Sequence, residues 1–272
     1  MMPNTEVGTP FGDPVEEVPL AAAPLIAVIA QVRFPPVVSV AREDFIGPFQ
    51  ERIRKTYPVL RQELESSVVL TPQGVHAGGD AAPVWRFLDN SDQPEWKVSL
   101  ASSFVALDTS RYSSRADFLG RLHTVLDALA ATVNPALCDR MGIRYVDRVL
   151  LEEPQDQLAS LVKPEVLGVA GVDPGSHAAL IHSISDTEYR LTDATLHGRW
   201  GRIPPKAQLD PSHGDVVDCP SWILDLDMYE TNLGPFNVDE LTAAAFKFAE
   251  RIHRFFRWAI QPDFLRRYGG EV

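Results

Sequence analysis

Apolar and polar residues alternate from Leu25 to Phe34, with Ile26, Val28, Ala30, Val32 and Phe34 on one face and Gln31 and Arg33 on the other. A period of two predicts a half-buried strand, which Pro35-Pro36 closes. From Arg42 to Tyr57 the period changes. Phe45, Phe49, Ile53 and Tyr57 recur every four residues, the stripe of an amphipathic helix that stops before Pro58. Four segments rich in β-branched and aromatic residues follow: Ser67–His76, Val84–Asp89, Glu95–Ala101 and Phe104–Asp108. Pro72-Gln73-Gly74, Gly78-Gly79, Asn90-Ser91-Asp92 and Ser102-Ser103 punctuate them. Ser114 is placed to cap a second helix with Asp117 in its first turn. Phe118, Leu122, Val125, Leu126 and Leu129 form its core face, and Asn134-Pro135 ends it.

The pattern then begins again. Gly142–Leu151 alternates, with Ile143, Tyr145, Asp147 and Val149 on one face and Arg144, Val146 and Arg148 on the other. Gln155–Leu167 reads as a short helical stretch interrupted by Pro164, and His177–Ser185 with Glu188–His197 as a hairpin turning at Asp186-Thr187. Ser221–Tyr229 is a further strand. Val238–Ile260 is the longest helix, its stripe formed by Leu241, Ala245, Phe248, Ile252, Phe255 and Ala259. The order is β-α-β-β-β-β-α, then β-α-β-β-(β)-β-α, the bracketed strand falling in the irregular loop 198–219. This predicts an α+β fold: two tandem β-α-β4-α units, residues 24–135 and 136–272, with antiparallel sheets each packed by a long C-terminal helix. Residues 1–23, rich in Pro and Gly with few large apolar side chains, read as a disordered leader.

Composition narrows the picture. The 272 residues are 45% hydrophobic and 23% charged, which suits a folded globular chain. Net charge is −12, so phosphate backbones are repelled unless positive charge gathers on one face. Cys138 and Cys219 are the only cysteines; two lone thiols fit a reducing compartment, with one disulfide left open. The longest apolar run, Leu20–Ala30, contains Pro24, is too short to span a bilayer and follows acidic rather than basic residues. These features point to a cytoplasmic protein without membrane attachment.

Several stretches carry a resemblance. Phe34-Pro35-Pro36, Phe49 with Tyr57-Pro58, Arg111-Tyr112 before the Phe118 helix, and Gly142-Ile143-Arg144-Tyr145-Val146-Asp147-Arg148 resemble a sporadically distributed family of uncharacterised bacterial proteins of about this length. The likeness extends from about residue 20 to the C-terminal helix; Asp147 stands where the family pattern has Asn. It implies an intact fold and carries no activity or catalytic residue. In element order the two halves also resemble the TATA-box-binding protein, whose sheets join into a saddle under helices, and helix-grip folds, in which a sheet wraps a long helix. Fold likeness alone does not assign chemistry.

The chain has no Gly-x4-Gly-Lys-Ser/Thr, Gly-x-Gly-x-x-Gly, His-Glu-x-x-His or Gly-x-Ser-x-Gly motif. Asp225 and Asp227 share a strand face about 7 Å apart, which suits a divalent metal or an acid–base pair if other ligands converge, against the plain reading of a solvated strand face. His177, His182 and His197 do not converge in the expected hairpin: His182 and His197 lie about 20 Å apart. His213, Asp215, Asp218 and Cys219 fall together in the long loop, with a spacing that matches no familiar metal-ligand pattern. Residues 247–272 hold six basic residues, Lys247, Arg251, Arg254, Arg257, Arg266 and Arg267, against three acidic ones, interleaved with Phe255, Phe256, Trp258 and Tyr268. Such interleaving suits nucleic acid; the competing reading, favoured by the aromatic spacing of three to four, is a helix C-terminus with cations complementing its dipole. The same cations could pair with an acidic partner or with the leader. Arg33 and Asp147 occupy corresponding places in the two halves, as a structural ion pair or as part of a ligand site.

The sequence is thus read first as a non-catalytic binding or accessory protein, without a cofactor, presenting a curved surface to a protein partner through candidates among Arg33, Arg144, Asp147, Asp225, Asp227, Arg254 and Arg257. A small-molecule or metal-binding protein or enzyme with a cavity between sheet and helix is the second reading. Nucleic-acid binding by the C-terminal helix is the third.

Overall fold

The computed structural model describes residues 8–71, 74–152, 158–210 and 214–270, with backbone alone over 65–81. Its strands are β1 (Leu25–Arg33), β2 (Val59–Thr71), β3 (Gly74–Leu88), β4 (Trp96–Ala101), β5 (Phe104–Thr109), β6 (Leu137–Leu150), β7 (Ser183–Arg190), β8 (Thr195–Ile203) and β9 (Ser221–Pro235). The helices are α1 (Glu43–Ile53), α2 (Arg115–Thr132), the four-residue α3 (Leu158–Leu161) and α4 (Pro164–Leu167), α5 (Val238–Ala259) and α6 (Pro262–Arg267). The α+β class holds. The expected pair of separate sheets does not: nine strands form one sheet ordered β2-β3-β4-β5-β1-β6-β9-β8-β7. Bare strand edges template unwanted pairing, and one continuous sheet leaves only β2 and β7 at its edges. None of the described helices is long and apolar enough to cross a membrane.

The chain divides into two compact units that are not consecutive in sequence. Unit I is Ile29–Gly142 with Glu230–Ala245; unit II is Met1–Val28, Ile143–Tyr229 and Phe246–Val272.

In unit I, β2 and β3 are longer than expected. Thr71 pairs with Gly74, and Gly78 lies inside β3 opposite Ser67, where the register shifts after Glu65. Glycine in a strand often marks such an irregularity and need not end it. Helix α1 buries Ile46, Phe49 and Ile53, and Phe49 meets Phe87 of β3 with ring centroids 5.4 Å apart. Helix α2 is capped as expected: the Ser114 hydroxyl accepts from the Asp117 amide at 3.1 Å. Such a cap contributes about 1 kcal/mol. The apolar face Phe118, Leu122, Val125, Leu126 and Leu129 is buried.

In unit II the hairpin is re-registered. The turn spans Leu191–Ala194, closed by the Leu191 amide on the Ala194 carbonyl at 2.8 Å, and Asp186 sits within β7 opposite Arg199. Asp193, at the turn, accepts both ends of the Arg251 guanidinium at 2.7 and 3.1 Å, a distant partner that fixes the turn six residues beyond the expected place. Gly198–Ile203, expected in the irregular loop, belongs to β8, and the bracketed extra strand is absent among the described residues. The apolar faces of β8 and β9 pack with α5: Trp200 lies 5.7 Å from Phe255, and Trp222, Leu224, Leu226 and Met228 are buried.

Gly201 has φ +149°, and a β-carbon there would stand 1.9 Å from the Ser183 carbonyl oxygen across the β7–β8 ladder. Gly201→Ala is therefore expected to lower stability by about 1–3 kcal/mol, read as a lower urea midpoint. A midpoint equal to that of the parent would show that the two strands are not this closely paired.

Of the leader, residues 8–23 are described, and they make defined contacts within unit II. The Phe11 ring lies 5.4 Å from Tyr189 and 5.9 Å from Phe255, and the Ala22 amide donates to the Tyr268 carbonyl at 3.1 Å.

Candidate functional site: an arginine and carboxylate cluster on the β6–β9 face

Alternation along β6 places Arg144, Val146 and Arg148 on one side of the strand. In β8 and β9, Arg199 stands directly opposite Asp225, and His197 opposite Asp227. The result is a chain of opposite charges within unit II. Asp225, only 2% exposed, accepts from Arg144 Nε (2.7 Å) and Nη2 (3.0 Å) and from Arg199 Nε (3.2 Å) and Nη2 (2.5 Å). Arg144 Nη1 donates to Asp210 Oδ2 at 2.7 Å. Burial alone would push the Arg144 guanidinium down; the bonds and charges of Asp225 and Asp210 outweigh it and hold it above its ordinary range.

Four residues along β6, Arg148 is 6% exposed and among the described residues bonds uncharged acceptors: Ser221 Oγ (3.0 Å), the Asp215 carbonyl (2.7 Å) and the Ala207 carbonyl (3.3 Å). Burial draws its guanidinium below the ordinary range, against the opposing pull of Cys219 and Asp215. Arg144 and Arg148 together therefore pin the segments on either side of residues 211–213 against the sheet. Ile26, Val146, Ile223, Gln208, Leu209 and Asp210 close a small recess around the two arginines, with room for about one water molecule. A charge-assisted network of this kind fixes geometry strongly. Chemically, Asp225 is an ion-pair acceptor, its oxygens already taken by two guanidinium groups.

The other candidates are placed elsewhere. Asp227 is half-buried opposite His197, whose Nε2 lies 2.7 Å from Asp186 Oδ1. Asp147 points to the opposite side of β6 from Arg144; it is 6% exposed, and burial alone pushes its carboxyl up to about 7. Arg33 is exposed at the end of β1, in unit I, and Asp147 belongs to unit II. Of the loop candidates, His213 lies outside the described residues, Asp218 pairs with Lys206 at 3.4 Å on the surface, and Asp215 contributes its carbonyl to Arg148. No group of three potential metal-ligating side chains gathers among the described residues. His177 and His182 are exposed and precede β7. Both cysteines are free, and burial pushes the Cys138 thiol up to about 11.

The basic C-terminal cluster is largely engaged within unit II. Arg251 holds Asp193, Arg254 holds Glu250 (3.0 Å) and the Gly12 carbonyl (3.0 Å), and Arg266 holds Asp263. Arg257 differs: its Nε and Nη1 are buried without a hydrogen-bond partner among the described residues, and burial draws the guanidinium down.

Sequence reasoning singled out Asp225 and Arg144 but missed Arg199, Asp210 and Ser221. Arg199 lies in β8 once that strand runs on to Ile203, and the β8–β9 register sets it opposite Asp225. Comparison with known proteins finds no matching family model and no matching curated protein.

Proposed function

We propose that the chain is a non-catalytic binding or accessory protein that presents its sheet and helix surface to a protein partner. The observation that carries this reading is Asp225: it accepts four hydrogen bonds from two arginines, so the most site-like charges of the chain fasten the fold together. Recognition is then assigned to the surface. The segment between α4 and β7 holds Val169 (52% exposed), Val172 (62%) and Ile181 (65%) in a run broken by Gly171 and Gly175. Apolar side chains held in water on an irregular segment are the raw material of a protein interface. The element order supports a pseudo-repeat, because in each half the last strand returns beside the first: β5 beside β1, and β9 beside β6.

The test is gentle purification of the tagged chain from its native host, alongside the double variant Val169→Asp/Ile181→Asp. A stoichiometric protein retained by the parent and lost by the variant is expected. Turnover of any substrate that Asp225→Asn abolishes, with the fold intact, would overturn the reading.

A further inference from the structure

The leader contacts suggest more than a tail at rest. We propose that the C-terminal half of α5, together with α6 and Tyr189, is a seat for an extended peptide bearing an aromatic residue followed by acidic residues. This chain's own leader holds the seat until such a partner segment displaces it. The inference deepens the binding reading above by naming a surface and the chemistry of the partner.

Four observations converge within unit II. The aromatic anchor is Phe11, which sits against Tyr189 and Phe255 at 5.4 and 5.9 Å. Next to it, the seat reads backbone: Arg254 Nη1 donates to the Gly12 carbonyl at 3.0 Å, and His253 Nε2 lies 3.4 Å from the Glu16 carbonyl. Any extended chain can offer such carbonyls, so these contacts are not peculiar to the leader's sequence. The far end is built for close approach, since a β-carbon on Gly269 would come within 2.9 Å of Ala21 and one on Gly270 within 2.8 Å of Leu20. Charge is of opposite sign in the two segments: the leader carries Asp13, Glu16 and Glu17, and residues 247–272 carry six basic against three acidic residues.

A further observation separates a seat from a mere resting place. Arg257 lies one helical turn beyond His253 and Arg254, on the same side of α5. Its Nε and Nη1 are buried and make no hydrogen bond among the described residues. Buried guanidinium N–H groups are costly to leave unpaired. The described leader residues therefore leave these groups unpaired, and a segment that brings a carboxylate to Arg257 is expected to bind better than the leader does.

The experiment uses the full chain and a fluorescent peptide of the leader sequence Gly-Thr-Pro-Phe-Gly-Asp-Pro-Val-Glu-Glu-Val-Pro-Leu-Ala-Ala-Ala, read by anisotropy. In the parent, the tethered leader competes at an effective concentration in the millimolar range, so the free peptide binds weakly. Phe11→Ser in the chain removes the anchor of the competitor, and peptide affinity is expected to rise about tenfold or more. Asp13→Lys/Glu16→Lys, at two exposed positions that leave the core untouched, should shift affinity in the same direction. Adding Arg254→Ala to the Phe11→Ser chain should abolish the gain. The inference is overturned if neither leader variant binds the peptide more tightly than the parent. It is equally overturned if a peptide with Ser in place of its Phe binds as well, or if a single-stranded oligonucleotide binds the leader variants and the peptide does not. Failure here, with the partner still lost on Val169→Asp/Ile181→Asp, removes the seat and leaves the broader binding reading standing.

Discussion

Asp147→Asn is expected to stabilise the protein above neutral pH by up to about 4 kcal/mol, taking about 1.4 kcal/mol per unit of pKa shift. The Asp147 carboxyl titrates near 7 in the folded chain, raised by burial from 3.8. A raised folded value means that the native state prefers the protonated group. The stability it allows is fully present below the unfolded value and is lost as pH rises through the folded one. The advantage of Asn should therefore be small at pH 3, grow between about pH 4 and pH 7, and level off above that range. Urea unfolding of both proteins at pH 3.5, 5.5 and 8 measures it directly. Parallel stability curves would show that the carboxylate is solvated after all. Asn has nearly the same shape and no charge to desolvate.

The second large effect concerns Asp225. Asp225→Ala leaves the Arg144 and Arg199 guanidinium groups half-buried without their shared acceptor, and removing one partner of a buried pair typically costs about 3–5 kcal/mol. The loss should appear in chemical denaturation as a lower midpoint. Replacing all three residues together, as Arg144→Met/Asp225→Leu/Arg199→Met, should recover most of it, because apolar side chains of similar size remove the unpaired charges. A single alanine that leaves stability unchanged would mean that the cluster is solvated and contributes nothing to the fold.

Much of this architecture could be read from local pattern. The periods of two and four located β1, α1, α2 and α5 closely, and the Ser114 cap marks where α2 starts. What local pattern could not supply was partnership at a distance. Asp186-Thr187 has the chemistry of a turn, yet the strand runs through it; the turn moves to Thr192-Asp193, where Asp193 meets Arg251 from 58 residues away. With the turn there, β8 runs on to Ile203 and includes Arg199, which the β8–β9 register sets opposite Asp225. Asp225 itself stood out in the sequence as a carboxylate suited to metal or acid–base work. Its role changes because Arg144 arrives from 81 positions earlier in the chain. The leader looked formless by composition, since Pro and Gly describe a segment's own preferences and not the rings of Tyr189 and Phe255 that receive Phe11.

The interleaved division of the chain has a consequence for synthesis. Unit I takes residues 230–245 from the far side of β9 and α5, and unit II needs residues 246–272 as well as its opening segment. Ribosomes emit about 5–20 residues per second, and contiguous domains normally fold as they emerge. Here unit I waits for residues 230–245 and unit II for residues 246–272, so the earlier strands of both bodies stay unfinished until those residues have left the exit tunnel. Chaperone dependence during translation, and failure of fragments cut at the midpoint to assemble alone, follow from that order of delivery.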